Sequence, residues 1–554
     1  MKSPFLHIPL VCLVLTGCAN FDATGSPIGL ILLGGGSGGG GAASETVDAE
    51  WWSNDFTCRQ SVTATATSAI VTGSLISLTF DHASLVSDGK SLASGDDVRV
   101  SYVSGGTTTE IDRTLGSGSS WNAADTRVVV QAQANIAAGA SDANYYLYYC
   151  NPSATTPTST VPATPATTVA STPTQTIAMD TTFNNVASST FTPSATDEVW
   201  LWFVTFAVRS DTAQNTNATD LLGQVTLNGA TDTEIEQQNN EANRWKILIV
   251  TGYVTGTTAT QTIGLDVKSE TAATTTEVKN IRIVSVLMPP DADFQAAVND
   301  ATVQTTTTWT NVGTALSFTP SSAGDYYVIA AGQHHENPST TVSEMRFESH
   351  DGTLWPPLDN GYYSSNHRGP WDTFFVMRKI NLTAGAKTFN MQFQSSNAGA
   401  SASEYKGIRL FAFRADAFEL TESQEDTAAA STTNTSAAPA TASTLTTTAP
   451  SGERDHLIVQ NMFLYDTNTG TTHQTAGDFR EDGVVLSDQD HVLNRGTGYQ
   501  FASGCVSSKR TSTSHTYDNR YWTNDGNATF VKESTIHVLR FKEPGVSYGG
   551  EETN

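Results

Sequence analysis

At 554 residues the chain is too long for one hydrophobic core, and its formal net charge of −26 excludes a surface that attracts nucleic acid or anionic lipid headgroups. Thr, Ser, Ala, Gly and Asn dominate while Leu and Lys are scarce, which favours strands and turns over helices. After the first residues no stretch reaches the apolar length of a transmembrane helix.

Lys2 supplies a positive start and Phe5 to Leu15 is mostly apolar, too short to span a bilayer and of the length of a secretory signal. Leu15-Thr16-Gly17-Cys18 resembles the bacterial lipobox, in which small residues precede a cysteine that takes a diacylglycerol before cleavage. The resemblance implies a signal peptide over 1–17 and a mature chain beginning at lipid-modified Cys18. Several acyl chains on one residue anchor stably. Ala19 is not the Asp that often retains lipoproteins at the inner membrane, so the outer membrane and the cell surface are the expected location. Residues 18–45 read as a tether, with an apolar patch at Ile28–Leu33 and a run from Gly34 to Gly41 broken only by Ser37.

Residues 46–151 form the first module. They carry Trp51-Trp52, Cys58-Arg59-Gln60, Asp88-Gly89-Lys90, Gly95-Asp96-Asp97-Val98-Arg99-Val100, Thr109-Glu110-Ile111-Asp112 and a closing Tyr145 to Asn151, YYLYYCN. The order resembles the DUF2341 family of bacterial surface modules, which implies a β-sandwich fused to extracellular proteins and no established chemistry. Cys150 stands where that family has Gly, and Cys58 is likewise a departure in the opening strand. Two departures at opposite ends of one module imply a Cys58–Cys150 disulfide, contributing about 4 kcal/mol through loop-closure entropy in an oxidising envelope. Cys505 is then left over as a thiol.

Thr and Pro recur over 152–174, an extended linker. Three stretches with landmarks in one order follow, at 175–293, 294–418 and 419–545, with a tail at 546–554. Phe191-Thr192-Pro193 recurs as Phe318-Thr319-Pro320 and, degenerate, near Leu445 to Pro450. A strongly apolar strand follows in each (Val199–Val208, Tyr326–Ala331, His456–Leu464), then a strand into Asn228-Gly229, Asp351-Gly352 or Asp482-Gly483, hairpin turns in which both residues tolerate positive φ. Each closes on an apolar strand at Ile281–Met288, Ile408–Phe413 or Ile536–Phe541. The period of about 127 residues is a whole domain, the size of a two-sheet sandwich. Phe318 to Val328 (FTPSSAGDYYV) and Leu382-Thr383-Ala384-Gly385 resemble strands of C1q-like jelly rolls, which implies that topology over an immunoglobulin one. The Ala/Ser/Thr-rich stretch Thr427–Pro450 sits where the third copy begins and is expected to be partly strand. The fold class is therefore all-β, four tandem jelly-roll-like β-sandwich domains behind a lipoprotein signal and Gly-rich tether.

No H-E-x-x-H, G-x-S-x-G, C-x-x-C or phosphate loop is present. His334 and His335 of Gln333-His334-His335-Glu336 would point to opposite faces of a strand and share no metal. Asp96-Asp97 and Glu481-Asp482 sit in turns, but neither has the alternating spacing of a Ca²⁺ loop, so solvated carboxylates are expected, with no metal and no cofactor. Trp355, Tyr362, Tyr363, His367, Arg368 and Trp371 concentrate in one stretch among Gly and Pro that keep it out of regular strands, with Asp359 and Asn360 able to orient a sugar. Tyr521-Trp522 occupies a comparable stretch of the third copy. Trp355, Tyr362, Tyr363 and Trp371 are the candidate ligand-binding residues, against the competing role of capping a core.

The expected function is a non-enzymatic, adhesin-like surface lipoprotein that binds carbohydrate. The alternative is a structural subunit of a surface layer or fibre, and an enzyme of unrecognised type ranks below both. Expected partners are the membrane, through the lipid, and glycans or a neighbouring cell surface, with no nucleic acid. The oligomeric state is not legible.

Overall fold

The computed structural model describes residues 51–553 apart from 158–166, 169–174, 178–181, 211–220, 238–245, 270–275, 336–342, 356–361, 365–370, 396–403, 450–453, 467–474, 490–497 and shorter intervals. Cys18, the tether and the signal segment lie outside the described residues.

The first module holds β1 (Cys58–Thr65), β2 (Leu75–Phe80), the short helix α1 (His82–Ser87), β3 (Arg99–Ser104), β4 (Thr107–Ile111), β5 (Arg113–Leu115), β6 (Thr126–Gln131) and β7 (Ser141–Tyr149). Two antiparallel sheets, β1-β7-β3-β4 and β2-β6-β5, enclose Val62, Ile76, Leu78, Val100, Val128, Val130, Tyr145 and Leu147. Strand residues of period two supply this core because alternate side chains face inward. Helix α1 starts where Asp81 accepts from the Ser84 N–H at 2.9 Å, and the chain turns away at Gly89, φ +71°. The Cys58–Cys150 disulfide is present. Cys150 has φ +66°, so the backbone there is left-handed, a conformation that favours Gly.

The first repeat runs β8 (Thr167–Thr168), β9 (Gln175–Ile177), β10 (Asn184–Phe191), β11 (Trp200–Ser210), β12 (Leu221–Leu227), β13 (Ala230–Gln237), β14 (Lys246–Val254), β15 (Gln261–Ser269) and β16 (Thr276–Leu287). The second runs β17 (Gln295–Asn299), β18 (Val303–Gln304), β19 (Thr310–Phe318), β20 (Gly324–His335), β21 (Ser343–Glu348), β22 (Leu354–Trp355), β23 (Tyr362–Ser364), β24 (Trp371–Leu382), β25 (Lys387–Ser395) and β26 (Glu404–Arg414). The third runs β27 (Leu420–Asp426), β28 (Ala430–Thr432), β29 (Ala440–Thr446), β30 (Arg454–Asp466), β31 (Thr475–Glu481), β32 (Val484–Gln489), β33 (Gly498–Thr511), β34 (Thr516–Thr523) and β35 (Thr529–Arg540).

Counting the split first and fifth strands once, each repeat has eight strands among the described residues. One sheet is ordered first-eighth-third-sixth: β8/β9-β16-β11-β14, β17/β18-β26-β20-β24 and β27/β28-β35-β30-β33. The other is ordered second-seventh-fourth-fifth: β10-β15-β12-β13, β19-β25-β21-β22/β23 and β29-β34-β31-β32. Three identical orders make three jelly rolls. Phe191 and Phe318 both end the second strand, and Ile281, Ile408 and Ile536 all lie on the eighth. Thr167–Thr168, read as linker, pairs with Ile283 and Val284 of β16.

The first two rolls fill their sandwiches with apolar side chains, Trp202, Val225 and Leu265 in one and Phe347, Phe389 and Phe393 in the other. Trp202 lies over Gly252, where a Cβ would come within 2.2 Å of the indole. The third roll is different. Its apolar core is divided in two by Asn519, fully buried, which donates to the carbonyls of Asn461 and Thr535, both at 3.0 Å, and to Ser534 Oγ at 2.9 Å, and accepts from Gln460 at 3.1 Å.

The rolls are not independent beads. The outer faces of their first sheets converge on one shared core: Leu201, Phe203, Val284 and Val286 from the first, Tyr327, Ile329, Phe411 and Phe413 from the second, Leu457, Val459, Leu539 and Phe541 from the third. The eighth strands meet it in register, since Arg282 stands opposite Thr205, Arg409 opposite Ala331 and His537 opposite Val459. Those three equivalent residues each cross to a neighbour. Arg282 donates to the Leu486 carbonyl of the third roll, Arg409 to Thr233 Oγ1 of the first at 3.1 Å, and His537 Nε2 to the Met377 carbonyl of the second at 2.9 Å. Arg282 and Arg409 land on the fifth strand of the neighbour and His537 on the sixth, and the contacts link the first roll to the third, the second to the first and the third to the second.

Residues beyond the third roll, read as a tail, form β36 (Gly545–Thr553), which pairs antiparallel with β1 from Cys58↔Thr553 to Thr65↔Gly545. An unpaired edge of the first module is thereby covered.

Candidate functional site

In the third roll, β31 ends at Glu481, Asp482-Gly483 turns with φ +50° and +80°, and β34 starts one residue after His515. The Asp482 N–H donates to the Thr516 carbonyl at 2.7 Å, and the Thr516 N–H returns to Asp482 Oδ1 at 2.8 Å. This clamp aims Oδ2 at His515 Nδ1, 2.7 Å away. Glu481 Oε1 lies 3.1 Å from the same nitrogen. Thr447 holds the His515 backbone through its N–H and Oγ1, and Thr513 Oγ1 lies 3.0 Å from His515 Nε2. The three ligand atoms lie within 4.8 Å of one another. Glu481 is buried, with its side chain 7% exposed, and Asp482 is open to solvent. The expectation of two solvated carboxylates therefore fails for Glu481, because the β31–β34 pairing brings the imidazole and the buried Tyr517 hydroxyl, 3.4 Å from Oε1, onto it. His515 was not singled out in the sequence. Its signal was the hairpin turn facing the start of the seventh strand.

The other acidic pair separates. Asp97 is buried and accepts from Ser91 Oγ at 2.8 Å and the Leu92 N–H at 2.9 Å. Asp96 accepts from Ser94 and Thr156, and those bonds hold its carboxyl below the usual range. Two carboxylates with separate partners do not converge on one cation.

Buried His82 completes a contact between His, Ser and Asp. The Asn122 N–H donates to His82 Nδ1 at 2.8 Å, so the ring proton sits on Nε2, 2.9 Å from Ser91 Oγ. Ser91 in turn donates to Asp97. Protons thus run from histidine to serine to aspartate, the reverse of what activates a serine nucleophile. Burial also holds His82 below its ordinary value.

A cleft of about 610 Å³ opens at the seam of the first two rolls, lined among others by Asn228, Asp232, Tyr253 and Gln261 on one side and Val298 and Arg409 on the other. Arg409 is held by Asp232 at 3.4 Å, Asn228 donates to Gln261 Oε1 at 2.8 Å, and the Tyr253 ring packs on Phe411 at 5.8 Å. Sequence reasoning missed this cleft because its walls belong to different repeats.

The aromatic stretch is not one irregular loop. Trp355 is in β22 opposite Phe347, Tyr362 and Tyr363 are in β23 opposite Met345 and Glu344, and Trp371 begins β24 opposite His335. Main-chain pairing to β21 and β20 overrides the Gly and Pro signals around them. Their side chains, with those of His334, His335 and Cys505, lie outside the described residues, as do His367 and Arg368 altogether. No helix among the described residues is long and apolar enough to cross a membrane.

No family model and no curated protein matches the chain. Among solved structures it is similar to PNGase F, a glycosylasparaginase from Flavobacterium meningosepticum, at 10% identity over 46% of this chain and 99% of that one, with a TM-score of 0.22. It is similar to a triple jelly roll protein of an archaeal virus at 12% identity over 68% and 91%, TM-score 0.17, and to PNGF-II at 8% over 62% and 98%, TM-score 0.21. Superpositions this partial say nothing of chemistry, and the jelly-roll fold rests on the strand orders themselves.

Proposed function

We propose that this protein is a non-enzymatic binding lipoprotein of the bacterial outer envelope, adhesin-like, held by the lipid on Cys18 and presenting its jelly rolls as one ligand-binding head for glycans. The observation that carries this reading is the polar cleft at the seam of the first and second rolls. Amides, a guanidinium and a tyrosine edge are the groups that orient hydroxylated ligands, and the shared core behind them holds the walls in place. The reversed proton order at His82, Ser91 and Asp97 favours binding over hydrolysis.

The test is a glycan array with the purified protein, paired with adhesion of intact cells. Binding that falls in an Asp232→Ala, Gln261→Ala variant supports the cleft. Binding that falls only in Trp355→Ala, Trp371→Ala moves the site to the aromatic strands of the second roll. No glycan bound and no change in adhesion on deletion rejects the reading. Location is tested separately: Cys18→Ser should release the protein from the membrane fraction, and added protease should reach the wild type on intact cells.

A further inference from the structure

The Glu481, Asp482 and His515 cluster is informative because the first roll contains the same turn with different chemistry. There the Asn228 N–H donates to the Thr262 carbonyl at 2.7 Å, and the Thr262 N–H returns to Asn228 Oδ1 at 2.8 Å. Those are the two bonds that Asp482 makes with Thr516. Asn228 has φ +53° and Asp482 +50°, each followed by a left-handed Gly. The residue before the turn is Leu227 in one and Glu481 in the other, and the residue before the seventh-strand Thr is Gln261 in one and His515 in the other. In the first roll the set is satisfied without any charge, since Asn228 Nδ2 donates to Gln261 Oε1 and Leu227 packs against the core.

In the third roll all three positions carry metal-ligating groups. A carboxylate occupies a core-side position that Leu227 fills in the first roll, and burying it demands a positive partner. Two carboxylate oxygens approach one imidazole nitrogen at 3.1 and 2.7 Å. Without a cation the Nδ1 edge of one imidazole lies between two carboxylates. With Thr513 accepting from Nε2, Nδ1 presents a lone pair to the same point. Neighbouring ligands around a tetrahedral ion bound at roughly 2.0–2.2 Å stand about 3.3–3.6 Å apart, so the two contacts to Nδ1 need open by less than about 1 Å to admit one.

We propose that Glu481, Asp482 and His515 bind a divalent transition-metal ion of the zinc class through Oε1, Oδ2 and Nδ1, with solvent completing the shell on the exposed Asp482 side. One nitrogen and two oxygens suit zinc better than calcium, which takes six to eight oxygens. The bonds from Thr516 to Oδ1, from Nε2 to Thr513 and from Tyr517 to Glu481 orient the three ligands from behind. The ion adds a side-chain link between the β31–β32 turn and His515 to the two bonds that Asp482 and Thr516 already make, as the two amides do in the first roll.

The test strips the full-length protein with a chelator and titrates it with ZnCl2, following stoichiometry by calorimetry and bound metal by elemental analysis after dialysis. One equivalent of zinc and a raised thermal midpoint are expected. The Asp482→Asn, His515→Gln variant rebuilds the first roll's turn and should fold while losing that equivalent and the midpoint shift. Should it fail to fold, Glu481→Leu, which places the first roll's residue there, carries the same comparison. Zinc bound equally by wild type and variant, or no zinc bound by the wild type at millimolar metal, overturns the assignment.

Discussion

Arg409 of the second jelly roll sits 3.4 Å from Asp232 of the first, although 177 residues separate them. The same position on the eighth strand reaches across the other two seams, through Arg282 and His537. Three seams made by one equivalent residue tie the rolls into a single cooperative unit. Scanning calorimetry should therefore show one transition for the three rolls. Phe411→Ala, which empties the shared core, should cost about 3–5 kcal/mol and lower that transition as a whole. Separate melting of residues 294–418 in this variant would contradict the shared core. A first roll expressed alone should aggregate, because Leu201, Phe203, Val284 and Val286 would face water.

The seam between the third and second rolls titrates. Burial pulls His537 down to about 4; Glu425 opposes this, Arg378 adds to it, the bond to Met377 opposes it and Lys379 adds to it. The folded value lies below the ordinary 6.5, so the unfolded chain takes the proton first. The histidine's contribution is complete above about 6.5, falls as the pH drops toward 4, and is constant below, for a total of about 3 kcal/mol. Glu533, fully buried against Arg378, is pushed up and acts in the opposite sense. Subtracting the stability curve of His537→Gln from that of the wild type cancels Glu533 and isolates the histidine. A difference that stays flat from pH 7 to 4 would count against this account.

The disulfide prediction has two parts. Removing it from a loop with ends 92 residues apart should cost about 4 kcal/mol in the first module. The left-handed backbone at Cys150 then decides between two replacements. Cys58→Ala, Cys150→Gly should be more stable than Cys58→Ala, Cys150→Ala by about 1 kcal/mol, because only Gly adopts φ +66° without steric cost. Equal denaturation midpoints for the two would show that the backbone relaxes once the bond is gone.

Deleting residues 545–553 should expose the β1 edge. Hydrogen exchange of β1 amides should quicken by about tenfold or more, corresponding to about 1.4 kcal/mol, the scale of one backbone hydrogen bond. Exchange within β11 and β20, buried in the rolls, should be unchanged. Faster exchange there as well would mean that β36 stabilises more than the first module.

Local pattern was legible in the sequence wherever it was decided locally. The Asn228-Gly229 and Asp482-Gly483 turns, the apolar eighth strands and the repeat spacing followed from φ preferences and alternation. The Cys58–Cys150 bond was expected from two cysteines that depart from the resembled pattern at opposite ends of one module. What the sequence hid was every feature built from two distant stretches. The apolar faces of β11 and β16 read as ordinary doubly buried strands, and nothing in either says that a second sandwich covers one side. His515 lies 33 residues from Asp482, and only the β31–β34 register joins them. The segment 545–553, Gly-rich and short of apolar residues, reads as a tail because its partner β1 lies almost the whole chain away.

A ring assembled from three identical subunits repeats every substitution three times, and a change harmful at any one seam is harmful at all. Carrying the three rolls on one polypeptide removes that restraint. Here the seam residue is histidine in one copy and arginine in two, and one interior holds Asn519 and its amide network while the other two are apolar. Each roll is free to take up its own chemistry at equivalent places without disturbing the frame the others supply.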